Sequence, residues 1–138
     1  MKGREVRPIE TFAAANTVND HGEEREVELV KCRLVVNSNP KPGREREYNS
    51  WYSEQHLPDV LKAPGMKSAE RMVVVEDSGY RIDLKHRYLT IYDVETDDPA
   101  GLKQLLQDRA DQGLSPWSPD IAMDYQVALY RVIAEVGA

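Results

Sequence analysis

The chain has 138 residues, the length of a single domain, and its composition (41% hydrophobic, 30% charged) is typical of a globular protein. The net charge of −6 argues against nucleic acids and acidic membrane surfaces as partners, because both attract basic proteins. The one cysteine, Cys32, can neither close an internal disulfide nor build a thiolate metal site. No apolar run approaches the roughly 20 residues that span a bilayer, and no signal peptide follows Met1, so we predict a cytoplasmic protein.

Residues 1–26 are predicted to form an arm in front of a folded domain at 27–138. Charged residues are scattered along this arm without the period of a helix or a strand. Residues 9–15 form a short apolar patch within it. Two interpretations stay open: the arm is flexible, or its patch packs on the domain or on a partner subunit.

Hydrophobic periodicity and turn signals predict six elements in the domain. The first strand is apolar on both faces, which indicates that both faces are covered. Pro58 ends or restarts the first helix, because proline lacks the N–H that a helix interior needs. In chain order the elements are a strand at 27–37, a helix at 44–57, strands at 66–76 and 87–95, a helix that starts at 96–99, and a strand at 124–136.

This β-α-β-β-α-β order predicts a ferredoxin-like α+β fold: a four-stranded antiparallel sheet with two helices on one face. The helix-free face would be too apolar to stay in water, and exposed apolar patches of a few hundred Å² generally mark an interface. We therefore predict a homodimer that forms through this face. A cavity between the two facing sheets would be the natural ligand site.

Aromatic residues make up only 7% of the chain, yet Tyr48, Trp51 and Tyr52 fall within five residues. With Gln55 and His56 they follow the spacing i, i+3, i+4, i+7, i+8, which predicts one face of the first helix. Histidine can take and return a proton near neutral pH. A position at a helix C-terminus would favour the protonated form of His56, whereas burial would favour the neutral form.

The segment 48–65 resembles the signature of the dimeric α/β-barrel superfamily, specifically its EthD-like members. These have an aromatic-rich first helix ending in His-x-Pro, here at 56–58, and then Pro-Gly, here at 64–65, before the second strand. Residues 87–94 resemble the third strand of the same group, and the likeness extends over roughly 27–136. It implies a dimeric barrel but no single activity, because the superfamily includes cofactor-free monooxygenases, isomerases, cyclases, dehydratases, haem-linked branches and proteins without known activity.

His56 is the candidate catalytic residue, as a general acid or base; the alternative is a structural histidine bonded to a backbone carbonyl at the helix break. The candidates for substrate binding are Tyr48, Tyr52, Trp51, Arg71 and Tyr92. The aromatic members either line the pocket or fill the core, and for Trp51 the core is favoured.

Basic residues and one further aromatic residue are also placed near the predicted pocket. Arg71, with Lys31 and Arg33, either reaches the cavity between the sheets to pair with an anionic or enolate group, or lies at the sheet edge. Trp117 lies between two prolines, as a lid over the pocket or as a dimer contact.

The sequence contains no metal-ligand spacing among its three histidines and no glycine-rich nucleotide loop, so neither a metal nor a cofactor is predicted. We predict a cofactor-independent enzyme that transfers protons on a small hydrophobic oxygenated metabolite, as an isomerase, cyclase or dehydratase. A cofactor-free or haem-linked monooxygenase is the first alternative. A non-catalytic accessory protein that binds a small ligand is the second.

Overall fold

A computed structural model of the protein describes residues 6–8, 14–18, 21–80 and 84–137. Eight strands and three α-helices are present in this part of the chain, with a π-helical turn at Trp51–His56 and a 3₁₀ turn at Pro99–Gly101. In chain order the elements are β1 (Val6–Pro8), β2 (Ala14–Val18), β3 (Glu24–Glu28), β4 (Val30–Ser38), α1 (Glu45–Ser50), α2 (Leu57–Leu61), β5 (Met66–Val73), β6 (Tyr88–Thr96), α3 (Leu102–Asp111), β7 (Gln126–Arg131) and β8 (Ala134–Val136).

The main sheet has four antiparallel strands in the order β5-β6-β4-β7. The crossovers that contain the helices connect β4 to β5 and β6 to β7, as in a ferredoxin-like fold. This confirms the predicted α+β class and the predicted sheet with its two helical regions. Among the described residues, no helix combines the length and the apolar character needed to cross a membrane.

The core lies between the sheet and the helices, because alternate residues of β4 and β6 point towards the helices. Cys32, Tyr92 and Val94 are almost completely buried there, and Leu102 of α3 packs on the same cluster. The alternate side chains of β4 and β6, such as Val35, point to the other face of the sheet and are only half-buried. The prediction that both faces of the first strand are covered is therefore wrong for a single chain.

The N-terminal arm contains strands, although the sequence shows no strand period there. β1 pairs with β8 near the C-terminus, and β2 pairs with β3 in a two-stranded hairpin. These strands lack alternating hydrophobic residues, and backbone pairing with another segment stabilises them instead. Residues 9–13 of the apolar patch lie outside the described residues, so packing on a partner subunit stays a prediction.

Gly65 shapes the start of β5, where the Pro-Gly pair was noted in the sequence. Its φ of +88° belongs to the left-handed region, and a Cβ placed there would lie 2.6 Å from the carbonyl oxygen of Glu95. Because glycine has no Cβ, its own carbonyl can accept a hydrogen bond from Glu95 N at 2.9 Å. Directly after it, the register between β5 and β6 shifts between Met66 and Ser68.

Candidate functional site

The first helix contains a π-helical turn at the position of the aromatic residues. Leu57 N–H bonds to Tyr52 O, five residues earlier, and the helix then continues past Pro58 to Leu61. Pro58 has no N–H and its ring crowds the carbonyl four residues before it, so a wider turn ahead of it relieves this conflict. His56 is therefore not at a helix C-terminus, and the dipole argument for its protonated form does not apply.

The π-turn brings Trp51 and His56 together. In an α-helix, residues five apart are rotated by about 140° and do not meet, whereas a π-turn closes between residues five apart. The two rings stack with their centroids 4.5 Å apart and an interplanar angle of 26°. Gln55 is exposed instead of sharing the buried face, so that part of the predicted helical face is wrong.

Seven rings that are connected through pairwise contacts form what we call the aromatic cluster. Tyr48 and Tyr52 are buried at its base, and Ile121 packs against both of them. The loop at 115–119 supplies one ring, and the residue just before β7 supplies another. The rings belong to Tyr48, Trp51, Tyr52, His56, Tyr88, Trp117 and Tyr125.

His56 is neutral at pH 7. Burial lowers the pKa of His56 from its ordinary value of 6.5 to about 4, with a smaller contribution in the same direction from Arg71 and an opposing one from the Asp59 carboxylate. Its Nδ1 is buried and has no hydrogen-bond partner among the described residues. The bond to a backbone carbonyl that the structural alternative requires is therefore not made by Nδ1 among the described residues.

Arg71 lies under the first helix, with its guanidinium over the aromatic rings. The guanidinium carbon is 4.4 Å from the centroid of the Tyr52 ring and 5.3 Å from that of Tyr48. Two of its nitrogens donate to Ser53 Oγ (2.7 Å) and Asn49 Oδ1 (3.0 Å). Its Nε is buried without a partner, and no ion pair links it to a carboxylate in the part of the chain that is described.

A β-bulge places Arg71 on this side of the sheet. Side chains of a regular strand alternate between the two faces, so Met66 and Arg71 would point to opposite faces. The register shift between Met66 and Ser68 inserts one extra residue. Both Met66, opposite Val94, and Arg71, opposite Thr90, consequently face the helices.

The buried tyrosine hydroxyls are protonated and bonded within the protein. Tyr48 Oη lies 2.6 Å from Ser38 Oγ. Burial raises the pKa of Tyr48, Tyr52 and Tyr92, and for Tyr52 hydrogen bonding with Thr90 opposes this effect. These phenols can donate hydrogen bonds but do not supply a phenolate near neutral pH.

The structure brings together all six residues predicted for the site: His56, Trp51, Tyr48, Tyr52, Arg71 and Tyr92. They lie between the sheet and the helices, however, and not between two facing sheets. Lys31 and Arg33 point to the opposite, open face and pair with Glu135 and Asp93. They therefore lie on the face where the cavity between two sheets was predicted, and it is Arg71, on the helix side, whose predicted position at that cavity is wrong.

Sequence reasoning missed several members of this region. Tyr125 falls inside the strand predicted at 124–136, but it lies just before β7, where it contacts the ring of Trp117. Asn49 and Ser53, the acceptors for Arg71, are separated by four residues on the helix, and this spacing was the available signal. Within the described ranges, no group of three or more His, Cys, Asp and Glu side chains is arranged to hold a metal ion.

A wide depression lies away from the aromatic cluster, at the hairpin between β5 and β6. Its volume is about 440 Å³, and it is open to solvent. Arg87 at its wall pairs with Glu76 at 2.6 Å, and Tyr80 is 82% exposed. None of the predicted site residues lines it.

The sheet and its crossovers define the protein as an α+β protein of ferredoxin-like architecture. It is similar to the crystal structure of a protein from Shewanella loihica PV-4 described as a "putative monooxygenase", with 19% sequence identity and a TM-score of 0.52. The match covers 76% of this chain and 96% of the other chain. At this identity the likeness shows the fold alone. No family model matches the sequence, and a comparison with curated proteins finds no match.

Proposed function

We propose that the protein is a cofactor-independent enzyme in which His56 transfers a proton on a small hydrophobic oxygenated molecule. The observation that supports this most is the buried Nδ1 of a neutral imidazole, which has no hydrogen-bond partner within the described ranges. A buried polar atom without a partner is costly, and a ligand that bonds to it removes that cost. At pH 7 the neutral imidazole can accept a proton, and because a pKa of about 4 makes it a weak base, the anion that forms would need stabilisation by Arg71.

The reaction class is proton abstraction next to a carbonyl, followed by return of the proton at another position, as in an isomerase, cyclase or dehydratase. The Asp59 carboxylate favours the imidazolium that forms in the first step, since it raises the pKa of His56. Arg71 is a cation beside the rings, has no carboxylate partner among the described residues and is suited to a developing enolate. Tyr48, Tyr52, Trp51 and Tyr92 would shape the apolar wall of the substrate site.

Hydrogen–deuterium exchange tests this proposal before the product is known. Cyclic ketones and lactones of one or two rings, such as 2-tetralone, are incubated with the protein in D₂O, and exchange at the α-carbon is followed by NMR. We expect faster exchange than in buffer for at least one compound, and its loss in His56→Gln. His21→Gln, which removes an exposed histidine, should keep the activity. Equal exchange by His56→Gln and the unchanged protein would refute the role of His56.

A monooxygenase is the second candidate, supported by the description of the structurally similar protein. In that case His56 would deprotonate a phenolic or enolic substrate, and the electron-rich anion would react with O₂. Oxygen consumption with hydroxylated aromatic compounds would distinguish this reaction, and a Soret band after addition of haem would identify a haem-linked variant. Ligand binding without turnover in either assay would point to the non-catalytic accessory protein.

We also propose the homodimer that the EthD-like resemblance of 48–65 implies, formed through the open sheet face. Leu89 and Ile91 of β6 and Val35 of β4 are apolar and only half-buried on this face, and Tyr130 of β7 is 58% exposed. Such a surface is typical of an interface. Sedimentation analysis should give a dimer, and Ile91→Lys at the centre of the face should give a folded monomer. A monomer before substitution would refute the proposal.

A further inference from the structure

Trp117 is held by other rings and not by burial. Its side chain is 46% exposed, although Ser115 and Ser118 on either side are buried. Ser118 Oγ donates to Asp120 Oδ2 and accepts from Asp120 N, so this end of the loop is fixed. The indole therefore projects from an anchored loop onto the aromatic cluster.

The ring angles define where the indole lies. Its centroid is 5.7 Å from that of Trp51 and also 5.7 Å from that of His56, with interplanar angles of 78° and 85°. Trp51 and His56 are themselves stacked 4.5 Å apart. A ring equidistant from both members of a stack lies beside the pair, across their edges. The ring of Tyr125 also contacts the indole, with a centroid distance of 5.2 Å.

The edge of an imidazole is where its nitrogens form hydrogen bonds, because the N–H and the lone pair lie in the ring plane. An indole offers one donor, Nε1, and no acceptor. No hydrogen bond joins Trp117 to His56 among the described residues, and His56 Nδ1 has no partner there. Trp117 thus fills the space beside His56 without meeting its hydrogen-bonding requirement.

We infer that Trp117 occupies the place of the ligand, and that the site selects a flat bicyclic hydroxyarene that displaces this indole and bonds to His56 through its hydroxyl group. This inference rests on the site in the proposed function and names its class of ligand. A flat ring system is needed because an indole fills the place that contacts the rings of Trp51, His56 and Tyr125. A hydroxyl both donates and accepts, so it satisfies either tautomer of His56.

Binding of 2-naphthol, measured by ¹⁹F NMR on protein that contains 5-fluorotryptophan, tests the inference. The chain has two tryptophans, and the Trp117→Phe variant assigns their two resonances. We expect 2-naphthol to shift the Trp117 resonance towards that of solvent-exposed fluorotryptophan. The affinity should be about tenfold lower for 2-methylnaphthalene, which lacks the hydroxyl, and for decahydro-2-naphthol, which is not flat.

Two variants distinguish a ligand that displaces the Trp117 indole from one that only contacts it. Trp117→Ala removes the competing indole, so 2-naphthol should bind several-fold more tightly and the preference over decahydro-2-naphthol should shrink, as read from the Trp51 resonance. Tyr80→Ala removes an exposed ring outside the cluster and should leave both affinities unchanged. Unchanged or weaker binding to Trp117→Ala, an unmoved Trp117 resonance, or no binding of 2-naphthol would overturn the inference. Because these assays measure binding alone, binding of 2-naphthol without any proton exchange would refute the proposed activity and leave the inference standing.

Discussion

The buried imidazole of His56 makes a specific prediction about stability in acid. In the unfolded chain His56 binds a proton near its ordinary pKa of 6.5, but in the folded protein only near pH 4. Between these values the unfolded state binds more protons, so the free energy of unfolding falls as the pH falls. Above pH 6.5 the imidazole is neutral in both states and this destabilisation disappears.

The size of the effect follows from the two pKa values. Each pH unit between them changes the free energy of unfolding by about 1.4 kcal/mol for one proton. From pH 7 to pH 4.5, inside the window from 6.5 to about 4, we expect a loss of about 2 kcal/mol that is due to His56 alone. The total free energy of unfolding of most small domains is only about 5–15 kcal/mol, so this loss is readily measured.

Urea unfolding followed by circular dichroism at pH 7 and pH 4.5 provides the assay. Carboxylates also titrate in this range, and the comparison with His56→Gln, at one protein concentration, removes their contribution. The loss between the two pH values should be about 2 kcal/mol smaller in His56→Gln than in the unchanged protein. His21→Gln, an exposed position, should keep the full loss. An equal loss in His56→Gln and the unchanged protein would show that His56 is not buried in a neutral form.

Three other predictions follow from buried or constrained positions. Gly65→Ala should cost about 2–4 kcal/mol, since alanine meets both the left-handed φ and the Glu95 carbonyl. Gly43 has a φ of +77°, but a Cβ placed there meets no atom within 4 Å, so Gly43→Ala should cost only about 1 kcal/mol. Equal losses of unfolding free energy for the two variants in urea would contradict the close approach at Gly65. Tyr48→Phe removes the bond to Ser38 and should cost about 1–2 kcal/mol by the same assay, with no pH dependence between pH 6 and 8; no loss would mean that the bond is not formed. Cys32 is 1% exposed and burial raises its pKa, so a thiol reagent should label it only after unfolding; rapid labelling of the native protein would contradict its place in the core.

The order of the four main-sheet strands and of the helices was predictable, because apolar runs and helical stripes are separated there by turn residues. For the site, the sequence predicted six of the residues that lie together but not their arrangement. The register of Arg71 depends on a bulge after Gly65, and strict alternation from Met66 places this side chain on the wrong face. The contact between Trp51 and His56 depends on a π-turn, which an α-helical wheel does not contain. Pairing of β1 with β8 depends on backbone hydrogen bonds that leave no hydrophobic pattern.

Several features with an energetic cost meet at one residue. His56 ends a π-turn, is held neutral by burial and contains an unpartnered nitrogen, while the nearby Arg71 is a cation without a carboxylate partner in the described chain. None of these features is needed to fill the core, because an apolar side chain at position 56 would pack without the cost of desolvation. Local costs that packing does not require are typical of functional sites, and π-turns are frequent there. The open depression between β5 and β6 is larger but carries no such cost, since its arginine is paired and solvated. These costs therefore favour His56 and its neighbours over the larger opening as the place of the proposed activity.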